Sequence, residues 1–332
     1  MPVTDIGIDL GTATIIVYVK GKGILYQEPS LVVFDRDANK ILAFGTEAEQ
    51  ILGRTPGNIV GIHPLKGGVI SDFRITERML RYFIRKSMGL RNILKPRICI
   101  CVPSGITAIE KKTVEEAAYR GGAREAVIVR EPLVAAMGAG IDIMRPSGNM
   151  VINIGGDVTE IAVLSLGGIV ISQTLKTAGT AFDRAIAAYV RRNYGVIITE
   201  QQAEEIKISI GSADDDGEDL QMEIEGRDAD AGFPQTVVLN SEMIREAVAE
   251  PLHVITESVR GIIEKTPPDL ANDVAERGIV LTGGGAMLAG LETALEKATG
   301  IRTMLAENPQ QAVALGTGLY IQQMSEFEKR RL

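Results

Sequence analysis

One pattern of apolar runs and glycine turns occurs twice in this chain. Ile6-Gly-Ile-Asp9-Leu-Gly11-Thr-Ala-Thr-Ile-Ile-Val-Tyr-Val19 is followed by Lys20-Gly-Lys-Gly23-Ile24. Met150-Val-Ile-Asn153-Ile-Gly155-Gly-Asp-Val-Thr-Glu-Ile-Ala-Val163 is followed by Leu164-Ser-Leu-Gly-Gly168-Ile169. Each reads as strand, glycine turn, strand, turn, strand. Asp9 aligns with Asn153, Gly11 with Gly155 and, after one inserted residue, Gly23 with Gly168. A whole series of matches in one order predicts two halves built on one β-meander.

Strands and helices alternate after each meander, which predicts an α/β fold. In the first half, Arg97–Val102 reads as a buried strand. Thr107-Ala-Ile-Glu110 is a capping box that opens a helix, and Gly121-Gly122 should end it. Val127–Val129 reads as a strand and Pro132–Gly140 as an Ala-rich, closely packed helix. In the second half, Thr180 is expected to cap a helix through Tyr194, and Thr199-Glu-Gln-Gln202 another through Ile210. Asp214-Asp-Asp-Gly217 reads as a solvated loop, Ser241–Glu264 as a long helix, and Thr266-Pro-Pro-Asp as the start of a new element. Gly278–Leu281 reads as a strand running into Thr282-Gly-Gly-Gly285. These elements predict two lobes. Lobe I covers 1–145, with a small subdomain at about 30–75 and the segment 315–332 returning to it. Lobe II covers 146–314, with a small subdomain at about 183–245.

Composition narrows the function. The net charge of −8 gives no attraction to a phosphate backbone, so general nucleic-acid binding is not expected. Cys99 and Cys101 alternate along one apolar run, so both should face one side of a strand as buried free thiols. With two His and no Cys pair at metal spacing, a zinc enzyme is not expected. No run reaches the ~18 apolar residues of a membrane span, and the first residues carry no leader pattern, so a cytoplasmic protein is expected.

Three glycine-rich turns follow apolar strands: Asp9-Leu-Gly-Thr-Ala-Thr14, Gly155-Gly-Asp-Val-Thr159 and Thr282-Gly-Gly-Gly285. Successive N–H groups in such turns form anion-binding concavities, and glycine lets the backbone approach a ligand. Any one of these turns could simply reverse the chain. Two related turns in related halves could clamp a polyphosphate, with the third flanking a base. No GxxxxGK[ST] loop is present, which excludes a P-loop enzyme.

With these residues in view, the chain resembles the actin–sugar kinase–chaperone ATPase superfamily, and within it the MreB/Mbl-type bacterial actins. The first two turns resemble that superfamily's two phosphate loops, and Leu281-Thr-Gly-Gly-Gly-Ala286 its adenosine motif. Glu131-Pro-Leu-Val-Ala-Ala-Met-Gly-Ala-Gly140 resembles the first connecting helix and Ala312–Gly318 the second. Gly53-Arg-Thr-Pro56, Pro64-Leu-Lys-Gly-Gly-Val-Ile-Ser-Asp-Phe73, Glu225-Gly-Arg-Asp228 and Ala306-Glu-Asn-Pro309 are similar to MreB/Mbl stretches. The resemblance implies the actin-like ATPase fold: two lobes, each with a mixed five-stranded sheet flanked by helices, and a nucleotide cleft between them.

The same resemblance implies ATP and Mg²⁺ as ligands. Asp9 would hold the hydrated Mg²⁺, and Gly11, Thr12 and Ala13 would meet phosphate through their backbone. Gly155, Gly156, Asp157 and Val158 would form the second loop, with Asn153 before it. Gly179, the pair Glu204 and Lys207, and Gly283, Gly284 and Gly285 would complete the nucleotide site. Glu131 would position and polarise the attacking water, with Thr159 as a second catalytic candidate. Without the resemblance, Glu131 reads as a helix-start acid and Glu204–Lys207 as a solvated salt bridge.

Departures from the family pattern bear on the chemistry. The second loop usually has Asp where Asn153 stands, and continues Gly-Gly-Gly-Thr-Thr where this chain has Gly155-Gly-Asp157-Val158-Thr159. The following helix usually enters as Gly-Asp-Glu, here Gly179-Thr-Ala181. Asn153 cannot anchor a metal's water shell as an Asp does, and Val158 lacks a hydroxyl. Asp157 is expected to face either Mg²⁺, restoring the charge missing at Asn153, or phosphate, weakening binding. Either way, a weak ATPase that still binds nucleotide is expected.

The segment Gly89-Leu-Arg-Asn-Ile93-Leu94-Lys-Pro96 sets two apolar residues among Arg91, Lys95 and Arg97. Such a tip can enter the interfacial layer while its basic neighbours meet anionic lipid. It resembles the family's membrane-insertion loop, so Ile93 and Leu94 are expected to touch the inner face of the cytoplasmic membrane peripherally. The expected partners are then the chain itself, in paired filaments, the membrane and the cell-wall elongation machinery. A small-molecule kinase on the same superfold is the alternative, but no separate substrate subsite with a base is evident. A chaperone ATPase would need a further substrate-binding domain.

Overall fold

The structure is a computed structural model. It describes residues 4–52, 57–89, 94–215 and 219–330, with side chains described through residue 323. The first half opens with the meander β1 (Asp5–Leu10), β2 (Thr14–Val19) and β3 (Gly23–Pro29). Next come β4 (Val32–Asp35), β5 (Lys40–Phe44), α1 (Gly45–Ile51), β6 (Ile59–Ile62) and the hairpin β7 (Leu65–Lys66) and β8 (Val69–Ile70). Then α2 (Phe73–Met88), β9 (Arg97–Val102), α3 (Ala108–Gly121), β10 (Glu125–Arg130) and α4 (Glu131–Gly138) follow.

The second half repeats the opening with β11 (Asn149–Ile154), β12 (Thr159–Ser165) and β13 (Gly168–Leu175). It continues through α5 (Gly179–Tyr194), β14 (Val196–Ile197), α6 (Glu200–Ile210), β15 (Gln221–Asp228) and β16 (Pro234–Asn240). It ends with α7 (Ser241–Lys265), α8 (Pro268–Arg277), β17 (Ile279–Thr282), α9 (Leu291–Thr299), β18 (Thr303–Leu305) and α10 (Ala312–Arg330).

The two main sheets have one topology. The first runs β3-β2-β1-β9-β10 and the second β13-β12-β11-β17-β18. In each, the meander is antiparallel and the last two strands join parallel to the first strand and to each other. The internal echo is therefore a structural repeat, with Gly23 and Gly168 opening equivalent third strands. Ile-Val-rich strands suit this layout because helices cover both faces. Ile6, Ile8, Ile152 and Ile154 are fully buried in the two cores. Smaller sheets, β5-β4-β6 and β14-β15-β16, accompany the first and second main sheets.

A third core joins the halves. It gathers Cys99, Cys101, Val134, Ala135, Ala136, Val151, Ala162, Val313 and Ile321 from strands of both sheets and from α4 and α10. The two thiols share one face and are buried, as the alternation predicts. Helices α4 and α10 cross at backbone contact. A Cβ on Gly138 would stand 1.7 Å from the Ala312 carbonyl oxygen, and one on Gly316 would stand 1.8 Å from that of Val134. This close crossing explains the small residues Ala135, Ala136 and Gly138 on α4.

Both predicted capping boxes form, at Thr107–Glu110 on α3 and Thr199–Gln202 on α6. Two local expectations are corrected. Thr180 lies inside α5, whose N-cap is Ala178, because its hydroxyl is used elsewhere. Asp214 is not solvated: it is buried, and its carboxylate takes Lys297 Nζ at 2.6 Å, while Ala213 N–H donates to Ala289. The motif 53–56 lies outside the described residues.

Candidate functional site

The two phosphate-type loops face each other. Loop 1 (Gly11–Ala13) joins β1 to β2 and is closed by Gly11 N–H donating to Thr14 O at 3.2 Å. Buried Ser30 braces it: its N–H donates to Ala13 O and its hydroxyl to Gly11 O at 2.7 Å. Loop 2 (Gly155–Val158) joins β11 to β12 and is closed by Gly155 N–H donating to Val158 O at 2.9 Å. A Cβ on Gly156 would stand 2.8 Å from Ala13 Cβ, so only glycine permits this approach of the loops. Asp157 N–H donates to Thr12 Oγ1 at 3.2 Å, which ties loop 2 to loop 1 directly. The first amides of α5 donate back into loop 2, Gly179 to Gly155 O and Thr180 to Gly156 O.

The third turn abuts loop 2. Gly283 has φ +90°, and a Cβ there would lie 2.2 Å from Ile154 O. Gly283 N–H donates to Pro309 O, and Thr282 Oγ1 donates to Asn153 Oδ1 at 2.9 Å. Gly285 also packs against Ile154 and Gly155. Loop 1, loop 2 and the third turn thus form one continuous glycine-lined wall.

Acids collect behind that wall. Burial raises the Asp9 carboxyl to about 6, while a contact from the Cys101 thiol, 3.5 Å away, opposes the shift. Glu131, at the start of α4, is pushed well above the ordinary carboxylate range by burial, then by its neighbours Glu160 and Asp9, while the Asn153 amide lowers it. Asn153 Nδ2 donates to Glu131 Oε1 at 2.5 Å. Glu160 is fully buried on β12 and raised by that burial. Its Oε2 accepts Ser104 N–H at 3.0 Å from the opposite half. Glu160 Oε1 and Ser104 Oγ are buried without a hydrogen-bond partner among the described residues. Asp9 has no ion-pair partner among the described residues either.

This acid set fits a hydrated divalent cation. Burial raises all three carboxyls, Glu131 also through its acidic neighbours, and a nearby positive charge would favour their ionised forms. Among the described residues no three His, Cys, Asp or Glu groups stand close enough to chelate an ion directly.

Other expected residues lie differently. Lys207 comes to the first turn of α5, 3.4 Å from Gly179 O, but its ion pair is with Asp183 Oδ1 at 2.7 Å. Glu204 is exposed one turn earlier on α6 and does not share that pair. The Thr159 hydroxyl donates to Thr177 O at 2.7 Å in a fully buried position, so it is not directed at Glu131. Val158 is buried against Gly68. The Asp157 carboxylate is engaged by two donors of the protein. Its Oδ2 accepts Gly67 N–H at 2.9 Å and its Oδ1 accepts the Thr180 hydroxyl at 2.9 Å. Leu94 is half exposed, and Ile93 lies outside the described residues. Sequence reading missed Ser30, Cys101, Glu160 and Asp183, whose roles arise only when distant segments meet.

The sequence model of the MreB/Mbl protein family matches residues 3–329. The chain belongs to the MreB/Mbl family. The cell shape-determining protein Mbl of Bacillus cereus is 48% identical over 99% of this chain and 98% of its own length. The cell shape-determining protein MreB of Escherichia coli K12 is 47% identical over 95% of this chain and 92% of its own. The crystal structure of Spiroplasma citri MreB5 bound to AMPPNP superposes with a TM-score of 0.94 at 34% identity, with full coverage of both chains. The MamK double helical filament, at 20% identity and a TM-score of 0.81, shares the actin-like fold. Family membership makes this fold the frame for reading the glycine wall and the acids behind it.

Proposed function

We propose that this MreB/Mbl-family protein binds ATP with Mg²⁺ in the cleft between its halves and assembles into membrane-associated filaments that direct cell-wall growth and cell shape. The observation that carries the reading is the facing pair of glycine loops from two topologically identical halves, backed by an uncompensated acid cluster. Support comes from the relatives: Mbl and MreB are named cell shape-determining proteins, and MreB5 was crystallised with AMPPNP and with ADP. The units that close on nucleotide would be residues 1–145 with 315–332, and residues 146–314.

In this reading, Gly11–Ala13 and Gly155–Val158 grip the phosphates, and Gly283–Gly285 with Gly179 and Lys207 flank the nucleoside. Asp9 holds the hydrated Mg²⁺, which would supply charge neutralisation at the phosphates. Glu131 orients the attacking water, since phosphoryl transfer asks mainly for positioning and neutralisation. The Asn153 amide already occupies one Glu131 oxygen, and Val158 offers no hydroxyl. Hydrolysis is therefore slow while nucleotide stays bound. No helix of the described residues is long and apolar enough to cross a membrane. Membrane contact would instead use the loop carrying Ile93 and Leu94.

The direct test is electron microscopy of the purified protein on an anionic lipid monolayer, with calorimetry for Mg-ATP. The expected result is ATP-dependent filaments on lipid, weakened by replacing Ile93 and Leu94 with Ser. An absence of nucleotide heat together with an absence of polymers would overturn the reading.

A further inference from the structure

We infer that Asp157 is a positioning residue that fixes the wall of the cleft without help from a ligand. It rests on the reading of loop 2 as a phosphate loop but reaches beyond it, to how the loop is held.

Three separate segments converge on this one residue. Its backbone N–H donates to Thr12 in loop 1 at 3.2 Å. Its Oδ2 accepts Gly67 N–H from the β7–β8 turn at 2.9 Å, and its Oδ1 accepts the Thr180 hydroxyl from the first turn of α5 at 2.9 Å. Gly67 and Thr12 belong to the first half, and Thr180 to the second, so the carboxylate spans the cleft. The β7–β8 turn is shaped for this contact. Gly67 and Gly68 have φ of +57° and +78°, and a Cβ on Gly68 would stand 2.8 Å from Pro103 and 3.0 Å from Val158. The turn is thereby pressed onto loop 2 while the Gly67 amide points at the carboxylate.

A carboxylate accepting from a backbone amide and a hydroxyl makes charge-assisted bonds, roughly twice as strong as neutral ones. The donors and the acceptor all belong to the protein. A hairpin that depended on a bound phosphate for its acceptor would be released when the phosphate left. Here the protein supplies the acceptor itself. Residues 65–70 should therefore keep this contact with loop 2 in the empty, ADP and ATP states, with any closing of the halves pivoting about it.

Hydrogen exchange on the full chain tests this. In the wild type, amides of residues 63–71 should be equally protected in ligand-free protein, with Mg-ADP and with Mg-ATP. In Asp157→Gly, ligand-free protein should lose at least about tenfold in protection there, a loss that Mg-ATP reverses. Asp157→Asn keeps one acceptor oxygen, so it should fall between the two, and Thr180→Val should lose less than Asp157→Gly. The Thr199–Ile210 peptides of α6 serve as a folding reference and should not change. Unaltered protection of 63–71 in ligand-free Asp157→Gly would overturn the inference, as would wild-type protection that appears only with ATP. Should Asp157→Gly not fold, Asp157→Asn and Thr180→Val decide on the same criterion. The ligand-free comparison stands even where calorimetry finds no nucleotide binding, so failure of the functional reading is seen separately.

Discussion

The first and second glycine loops hang from strands of identical topology, yet their polar anchors differ. In the first half, Asp9 sits near the end of β1 with the Cys101 thiol 3.5 Å from its carboxyl, and burial holds that carboxyl near 6. In the second half, Asn153 at the matching place on β11 is neutral and engaged through both its oxygen and its amide. Its oxygen accepts from Thr282 and its amide donates to Glu131. The charge missing at 153 is found four residues on, at Asp157, where it is engaged with Gly67 and Thr180. A duplicated backbone thus carries two different jobs. One half keeps a buried acid beside its loop with no ion-pair partner among the described residues, and the other uses its polar groups to tie distant segments together.

The sharpest way to break this contrast is to make the halves alike. Asn153→Asp replaces a donor to Glu131 with a second carboxylate. Two unit charges at ~4 Å repel by about 4 kcal/mol at an effective dielectric of ~20. Ligand-free Asn153→Asp should unfold at clearly lower urea than wild type at pH 8 and recover toward pH 5, as the pair takes up a proton. If nucleotide binds as proposed, Mg-ATP should restore stability at pH 8 and phosphate release should rise. An unchanged urea midpoint at pH 8 would show that Asn153 is not what separates Glu131 from its neighbours.

The reverse exchange, Asp9→Asn, is expected to have a slightly smaller effect of opposite sign. Burial raises the Asp9 carboxyl from 3.8 to about 6. Between those values the unfolded chain has released this proton and the folded chain has not, so stability falls as pH rises through this window. The full cost above pH 6 is about 3 kcal/mol, at about 1.36 kcal/mol for each pH unit between 3.8 and about 6. Ligand-free Asp9→Asn should therefore be more stable than wild type at pH 7, and the gap should close below pH 4. Paired urea titrations at the two pH values check this. A gap independent of pH would place the Asp9 proton elsewhere.

Much of this comparison was legible in the sequence. The echo around Asp9 and Asn153 marked the repeat, because strand–glycine–strand spacing is local and survives divergence. Thr107–Glu110 and Thr199–Gln202 announced helix starts because a capping box lies within four residues. The partners of Asp157 were not legible. Gly67 lies ninety residues away and Thr180 twenty-three, and nothing local distinguishes a carboxylate aimed at an amide from one aimed at a metal. Lys207 shows the same limit. Helical spacing offered Glu204 as its partner, whereas packing of α5 on α6 supplied Asp183. Asp214 read as solvated from its acidic neighbours, but the turn before α9 and Lys297 cover it.

The smallest effects sharpen the comparison most finely, because they ask whether the two halves are also two folding units. Thr107 caps α3 in the first half and Thr199 caps α6 in the second, each with a reciprocal side-chain bond. Replacing either with Ala should cost about 1 kcal/mol. The shared core of Cys99, Ala135, Val151, Ala162 and Val313 and the crossing of α4 on α10 bind the halves through buried apolar contact. Such continuity favours one cooperative transition. Thr107→Ala and Thr199→Ala should then shift a single urea transition equally, and the double variant should shift it by the sum, since the caps share no partner. Two transitions, with each variant moving only its own, would mean that the third core docks halves already folded.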